Sequence, residues 1–298
     1  MPKPNPTPAA ADWPLIARFR SVEARIGRVA AKRASTAALY EFLRFGLKEA
    51  WACLFGGAMV VLLVATHLYW PPTSVLARSD ALFLGALAIQ IAMLALRLET
   101  LGEAKVILAY HVIGTIMEVF KTDVGSWVYV GSAFFRIGGV PLFSGFMYAS
   151  IGSYIARCWR LFDFRFTGHP PLCQLALLAA AIYANFYTHH YVVDLRIALF
   201  AATTFLFRST WIHYRIWRTH RRMPLLAGFA CVAVFIWIAE NIGTATATWI
   251  YPHQHAVWSL VRAGKLGSWF LLLIVSYALV AMVNRPLRTD IAPIRPNP

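Results

Sequence analysis

The chain has 298 residues, of which 59% are apolar and 14% charged, with a mean hydropathy of +0.58. Such a composition cannot cover a water-soluble surface, and its apolar residues fall in runs of about 18 to 22, the length that crosses a ~30 Å hydrocarbon core as helix. Soluble Rossmann, barrel and sandwich folds are excluded, and the alternating pattern of an outer-membrane barrel is missing.

The net charge is +15. The basic residues flank the apolar runs and lie on no nucleic-acid module, so they point to membrane topology, with the lipid bilayer as partner and no nucleic acid. Cys53, Cys158, Cys173 and Cys231 form no CxxC pair and have no ligand-like spacing, which implies neither a disulfide framework nor a zinc site. The Pro-rich, then Arg-rich start does not read as a cleaved signal peptide.

In chain order, residues 1–12 read as a disordered tail and residues 13–48 as a basic amphipathic cytoplasmic helix. Leu15, Ile16, Phe19, Val22, Ile26 and Val29 recur there at helical spacing, beside a face of Arg18, Arg25, Arg28 and Lys32. That pattern suits an anionic inner leaflet. Residues 49–286 read as the membrane domain and 287–298 as a second disordered tail.

The expected fold is all-α, a polytopic transmembrane helical bundle. Eight spans are expected: Trp51–Trp70, Ala81–Leu96, Ala104–Thr122, Ile137–Ala156, Leu172–Tyr191, Ile197–Ile212, Pro224–Gly243 and Gly264–Val283. With both termini cytoplasmic, the inner segments collect 21 Lys and Arg against six outside, as the positive-inside bias requires. A multi-pass membrane protein follows.

Sliding the sequence on itself by 122 residues aligns Thr66, His67 and Tyr69 with Thr188, His189 and Tyr191. The same offset aligns Glu118, Thr122, Trp127 and Tyr129 with Glu240, Thr244, Trp249 and Tyr251. The motif Glu-x3-Thr-x4-Trp-x-Tyr thus occurs twice. A duplication with halves of about 49–165 and 166–286 would be parallel, because four spans per half bring both halves in from the same side.

Glu118 and Glu240 are the foremost catalytic candidates, since a carboxyl group inside an apolar span is costly and normally faces the bundle interior. Each could serve as an acid, a base or a proton carrier, or simply satisfy a polar neighbour. His67 and His189 form a second candidate pair at the outer span ends. Together with the two glutamates they could make a metal shell, although no HExxH or Glu-x-x-His spacing supports one.

Trp127, Tyr129, Trp249 and Tyr251 either anchor spans at headgroup depth or wall a substrate pocket, with His190 and Asn241 as further substrate-binding candidates. Gly145, Ala149 and Ser153 form a stripe that allows close helix packing. No Walker loop, GxSxG elbow, GxGxxG or Asp-rich prenyl-diphosphate motif is present, which argues against an ATPase, a serine hydrolase and a conventional prenyltransferase. The motifs name no cofactor and no oligomeric state.

The stretch from Phe135 through Arg136, Gly138-Gly139-Val140-Pro141 and Tyr148 to Gly152-Ser153-Tyr154 and Trp159-Arg160-Leu161-Phe162-Asp163 resembles the YoaT-like family of bacterial integral membrane proteins, a domain of unknown function (817). Glu118-Val119-Phe120-Lys121, Thr188-His189-His190 and Glu240-Asn241-Ile242-Gly243-Thr244 fit it too, so the resemblance covers roughly residues 45 to 285. A more distant likeness, to membrane-embedded carotenoid cyclases and hydratases, rests on acidic residues and Trp-x-Tyr patterns in repeated helical units. Their Pro-x-Glu-Glu motif is absent here. The expected function is acid–base chemistry by an intramembrane enzyme on a lipid or isoprenoid near the outer face, with a proton-coupled transporter, a small-molecule binding protein or a scaffold as alternatives.

Overall fold

The computed structural model describes residues 22–23, 25–71 and 73–284. Both expected tails, and the start of the helix expected over 13–48, lie outside the described residues. Within them the chain is mostly helical: α1 (Ala34–Ala52), α2 (Leu54–Tyr69), α3 (Arg78–Ala95), α4 (Leu101–Asp123), α5 (Phe143–Phe162), α6 (Leu172–Thr188), α7 (Arg196–Phe207), α8 (Leu225–Ala245) and α9 (Gly264–Asn284).

Each of the eight expected spans overlaps one of the helices α2 to α9, but the bounds differ. The basic segment is not one helix ending at 48: residues 25–30 are helical, the chain turns at 31–33, and α1 runs on to Ala52. α1 and α2 then meet at a bend of 68° around Cys53. Helices α3, α8 and α9 are each long and apolar enough to cross a membrane, and the α1–α2 pair makes a fourth candidate if it counts as one bent span. α7 has only 12 residues, a rise of ~18 Å, because the alternating Trp211-Ile212-His213-Tyr214-Arg215 segment leaves the helix as a strand.

The fold is therefore not purely helical. Strands β1 (Val128–Tyr129), β2 (Arg136–Ile137), β3 (Val140–Pro141), β4 (Arg165–Thr167), β5 (Trp211–Arg215), β6 (His220–Pro224) and β7 (Trp249–Ile250) form three small sheets, ordered β1-β7, β2-β3 and β4-β5-β6. All pairings are antiparallel.

α5 occupies the centre, packed against α1, α2, α3, α4 and α9. The stripe expected to favour close packing does so: a Cβ built on Gly145 would lie 2.4 Å from His111 Nδ1 and 2.6 Å from Thr115 Oγ1 of α4. The largest apolar cluster joins α5 to α6, α8 and α9, with Ile274, Ala278 and Val280 fully buried. Outward-facing Leu47, Val61, Leu177 and Ile197 stay exposed, as they should in a solvent of lipid chains.

Arg78 ties the two parts of the chain together. Its guanidinium donates to Leu63 O (3.1 Å) and Thr66 Oγ1 (3.2 Å) of α2, and to Thr246 O (2.7 Å) and Thr248 Oγ1 (3.1 Å) beyond α8. One ammonium cannot reach four acceptors fanned over two segments. Arg78→Lys is expected to cost about 2 kcal/mol, read as a lower melting midpoint of the detergent-purified protein; an unchanged midpoint would mean the clamp is idle.

Candidate functional site

A cavity of about 1060 Å³ runs through the bundle, just above the ~300–1,000 Å³ typical of ligand pockets. Its wall is chiefly apolar, including Met59, Leu63, Met147, Ile151, Val232 and Leu272. Polar groups gather at its two ends.

At one end stand Glu118 of α4 and Glu240 of α8, 3% and 4% exposed. Glu118 Oε2 accepts from Trp127 Nε1 (2.8 Å) and the Tyr129 hydroxyl (2.6 Å), and Oε1 accepts from the Tyr148 hydroxyl (2.5 Å). Glu240 Oε1 accepts from the Tyr251 hydroxyl, and Oε2 from Trp269 Nε1 (2.5 Å). A carboxylate is acceptor-only, and every one of these neighbours is a donor. Burial, and next the adjoining glutamate, raise the Tyr129 and Tyr251 phenols well above their ordinary range, so both stay O–H donors.

The Glu-to-Tyr bond spans 11 residues in both copies of the motif. Turns after α4 and α8 set up that reach, and β1 and β7 lock the turns to each other through Val128↔Ile250 and Tyr129↔Trp249. Trp249 swings over Gly243, where a Cβ would lie 1.9 Å from the indole; no larger residue fits there unless the ring moves. Trp127 and Tyr251 meet edge to face at 5.9 Å, and Lys265 Nζ lies 4.9 Å and 4.5 Å from the two ring centres. One ammonium thus touches the donor sets of both carboxylates.

At the opposite end, Tyr154 donates to Glu49 Oε2 at 3.0 Å, with Cys53, Cys158 and Phe162 beside it on the cavity wall.

The structure brings seven of the ten residues singled out in the sequence to this cavity, six of them being Glu118, Glu240, Trp127, Tyr129, Trp249 and Tyr251. The four rings turn inward rather than serving only as outer anchors. His189 also lines it, its Nδ1 2.7 Å from Asn185 O. His190 sits beside Lys121 (2.9 Å) and Asn241 braces the loop by accepting from Val261 N (2.9 Å); neither is among the lining residues. His67 is exposed in the last turn of α2. Among the described residues no three His, Cys, Asp or Glu side chains come close enough to hold a metal, so the shell of two histidines and two glutamates is not assembled.

Sequence reasoning missed Tyr148 and Trp269, which reach the carboxylates from α5 and α9. Neither falls in the repeated motif. Lys265 likewise belongs to no motif of the sequence.

A family model described as a protein of unknown function (DUF817) matches residues 41–277. The chain belongs to the DUF817 family. Within it, the chain is 41% identical over 248 residues to the uncharacterized protein YoaT of Bacillus subtilis (strain 168), covering 83% of this chain and 93% of that one. The Trp-x-Tyr segments and both glutamates of this DUF817 protein fall inside the matched region. Among solved structures, this chain is similar to the mycobacterial Insig homolog MvINS from Mycobacterium vanbaalenii, at 16% identity and a TM-score of 0.46, over 63% of this chain and 97% of that one. A cross-linked trimer of the same protein matches equally.

Proposed function

We propose that this DUF817 protein is an intramembrane enzyme that takes a lipid- or isoprenoid-sized molecule into its central cavity and performs acid–base chemistry on it with Glu118 and Glu240. The observation that carries the reading is the joining of one large apolar cavity to two buried carboxylates at its polar end. An apolar wall with a few converging polar groups is what a hydrophobic ligand with one reactive end requires. Tyr148, on the cavity wall and bonded to Glu118, would pass a proton between carboxyl and ligand.

The reading places the chain in a bacterial inner membrane as eight spans with cytoplasmic termini and two parallel halves. Support for the duplication comes from the element order, three helices, a short strand and a helix, which recurs as α2, α3, α4, β1, α5 and α6, α7, α8, β7, α9 with the other strands interposed. Val128 pairs with Ile250, its own counterpart at the offset of 122, as a two-fold relation between the halves requires.

A role in binding or proton-coupled transport without turnover is favoured by one fact: both oxygens of each glutamate are already engaged by side-chain donors. Mass spectrometry of whole lipid and isoprenoid extracts separates the two readings. Cells lacking the protein, cells expressing it and cells expressing Glu118→Gln are compared. A compound that appears only with the intact glutamate is the expected result; identical extracts would overturn catalysis in favour of binding or transport.

A further inference from the structure

The polar end of the cavity carries more positive charge than its carboxylates balance. Lys121, Arg196, Arg262 and Lys265 all line it, together with Glu118 and Glu240. Lys121 is only 5% exposed. Among the described residues, none of Lys121, Arg262 and Lys265 has a carboxylate within ion-pair distance. Arg196 pairs with Asp194 at 3.1 Å, through one of its five N–H donors.

Lys121 Nζ meets His190 Nε2 at 2.9 Å and lies 5.9 Å from each of the Phe120 and Phe186 rings. Those neighbours place the ammonium but supply no opposing charge. Cations held in a low-dielectric site are costly unless paired and hydrogen-bonded. The two glutamates do not fill that role at contact distance, because their oxygens are taken by phenol and indole donors. An anion arriving from the cavity would complete the set, with the guanidinium forks suited to planar or tetrahedral oxygens.

We infer that the ligand is an anionic amphiphile, its phosphate or carboxylate head held by Lys121, Arg196, Arg262 and Lys265 and its hydrocarbon tail in the apolar cavity. The inference rests on the reading of the cavity as a lipid or isoprenoid site and adds the chemistry of the head. That head lies beside Glu118 and Glu240, so the carbons nearest to it are the ones the acid–base groups reach.

The test is equilibrium binding to the full chain in a neutral detergent, with oleate, oleyl phosphate and oleyl alcohol as probes of one chain length and inorganic phosphate as competitor. The two anions are expected to bind at least about tenfold more tightly than the alcohol, the worth of one charged hydrogen bond. Arg196→Gln/Arg262→Gln should remove most of that preference while leaving the alcohol unchanged; both arginines face partly outward, and a wild-type elution profile verifies the fold. Equal binding of the alcohol, or an undiminished preference in the double variant, overturns the anionic head. Inorganic phosphate competing as well as oleyl phosphate overturns the amphiphile in favour of a free anion. If none of the three chain probes binds, the cavity reading itself falls.

Discussion

Arg157→Met is expected to destabilise the protein by about 3–5 kcal/mol, the usual result of removing one partner from a buried ion pair. Arg157 is fully buried and Glu99 is 4% exposed, with Nη1 and Oε1 3.8 Å apart. Glu99 also accepts from Gln90 Nε2 (2.7 Å) and Ser153 Oγ (2.6 Å), so it joins α3 and α5 at the turn that leads into α4. Without the guanidinium, the Glu99 carboxylate in the protein interior keeps the neutral Gln90 and Ser153 donors. Melting of the purified protein should fall by roughly 10 °C. Adding Glu99→Leu to Arg157→Met should recover much of the loss, since a well-packed apolar pair is often neutral or better in place of a buried ion pair. A single variant within about 1 kcal/mol of wild type would show that Arg157 does not compensate Glu99.

How much of this was legible in the sequence follows from the range of each interaction. Runs of apolar residues located α2 to α9, because length and hydropathy are local properties of the chain. The Glu118–Tyr129 and Glu240–Tyr251 bonds were legible as a repeated motif, since donor and acceptor lie 11 residues apart on one helix and its following turn. Tyr148 and Trp269 were not, because α5 and α9 bring them in from 30 and 29 residues away. His67 misled for the opposite reason. It matches His189 in register, yet the last turn of α2 leaves it exposed, and sequence offset does not report which way a terminal helical turn faces. The β5–β6 hairpin was hidden because an apolar run that continues past Phe207 reads as helix until its alternation is weighed.

Glu118→Leu is expected to cost about 3 kcal/mol or more, because it strands the Trp127 indole and the Tyr129 and Tyr148 hydroxyls, each buried donor contributing ~1–3 kcal/mol when left unpaired. Glu118→Gln keeps the shape but not the chemistry: its amide nitrogen turns a donor toward another donor, so one contact is lost even though the side chain fits. A fall in product with Glu118→Gln therefore contains a stability component, and melting must be measured beside it. Tyr148→Phe separates the two. It removes one O–H from Glu118 while the ring stays packed in its buried cluster with Met117 and Leu272, and the expected stability loss is only about 1 kcal/mol. If Tyr148 carries the proton between Glu118 and the cavity, Tyr148→Phe abolishes product as completely as Glu118→Gln does, in a protein that melts near wild type. Full product from Tyr148→Phe would take the phenol out of the proton path and leave Glu118 to reach the ligand directly. Full product from both variants would end the acid–base reading of this carboxylate.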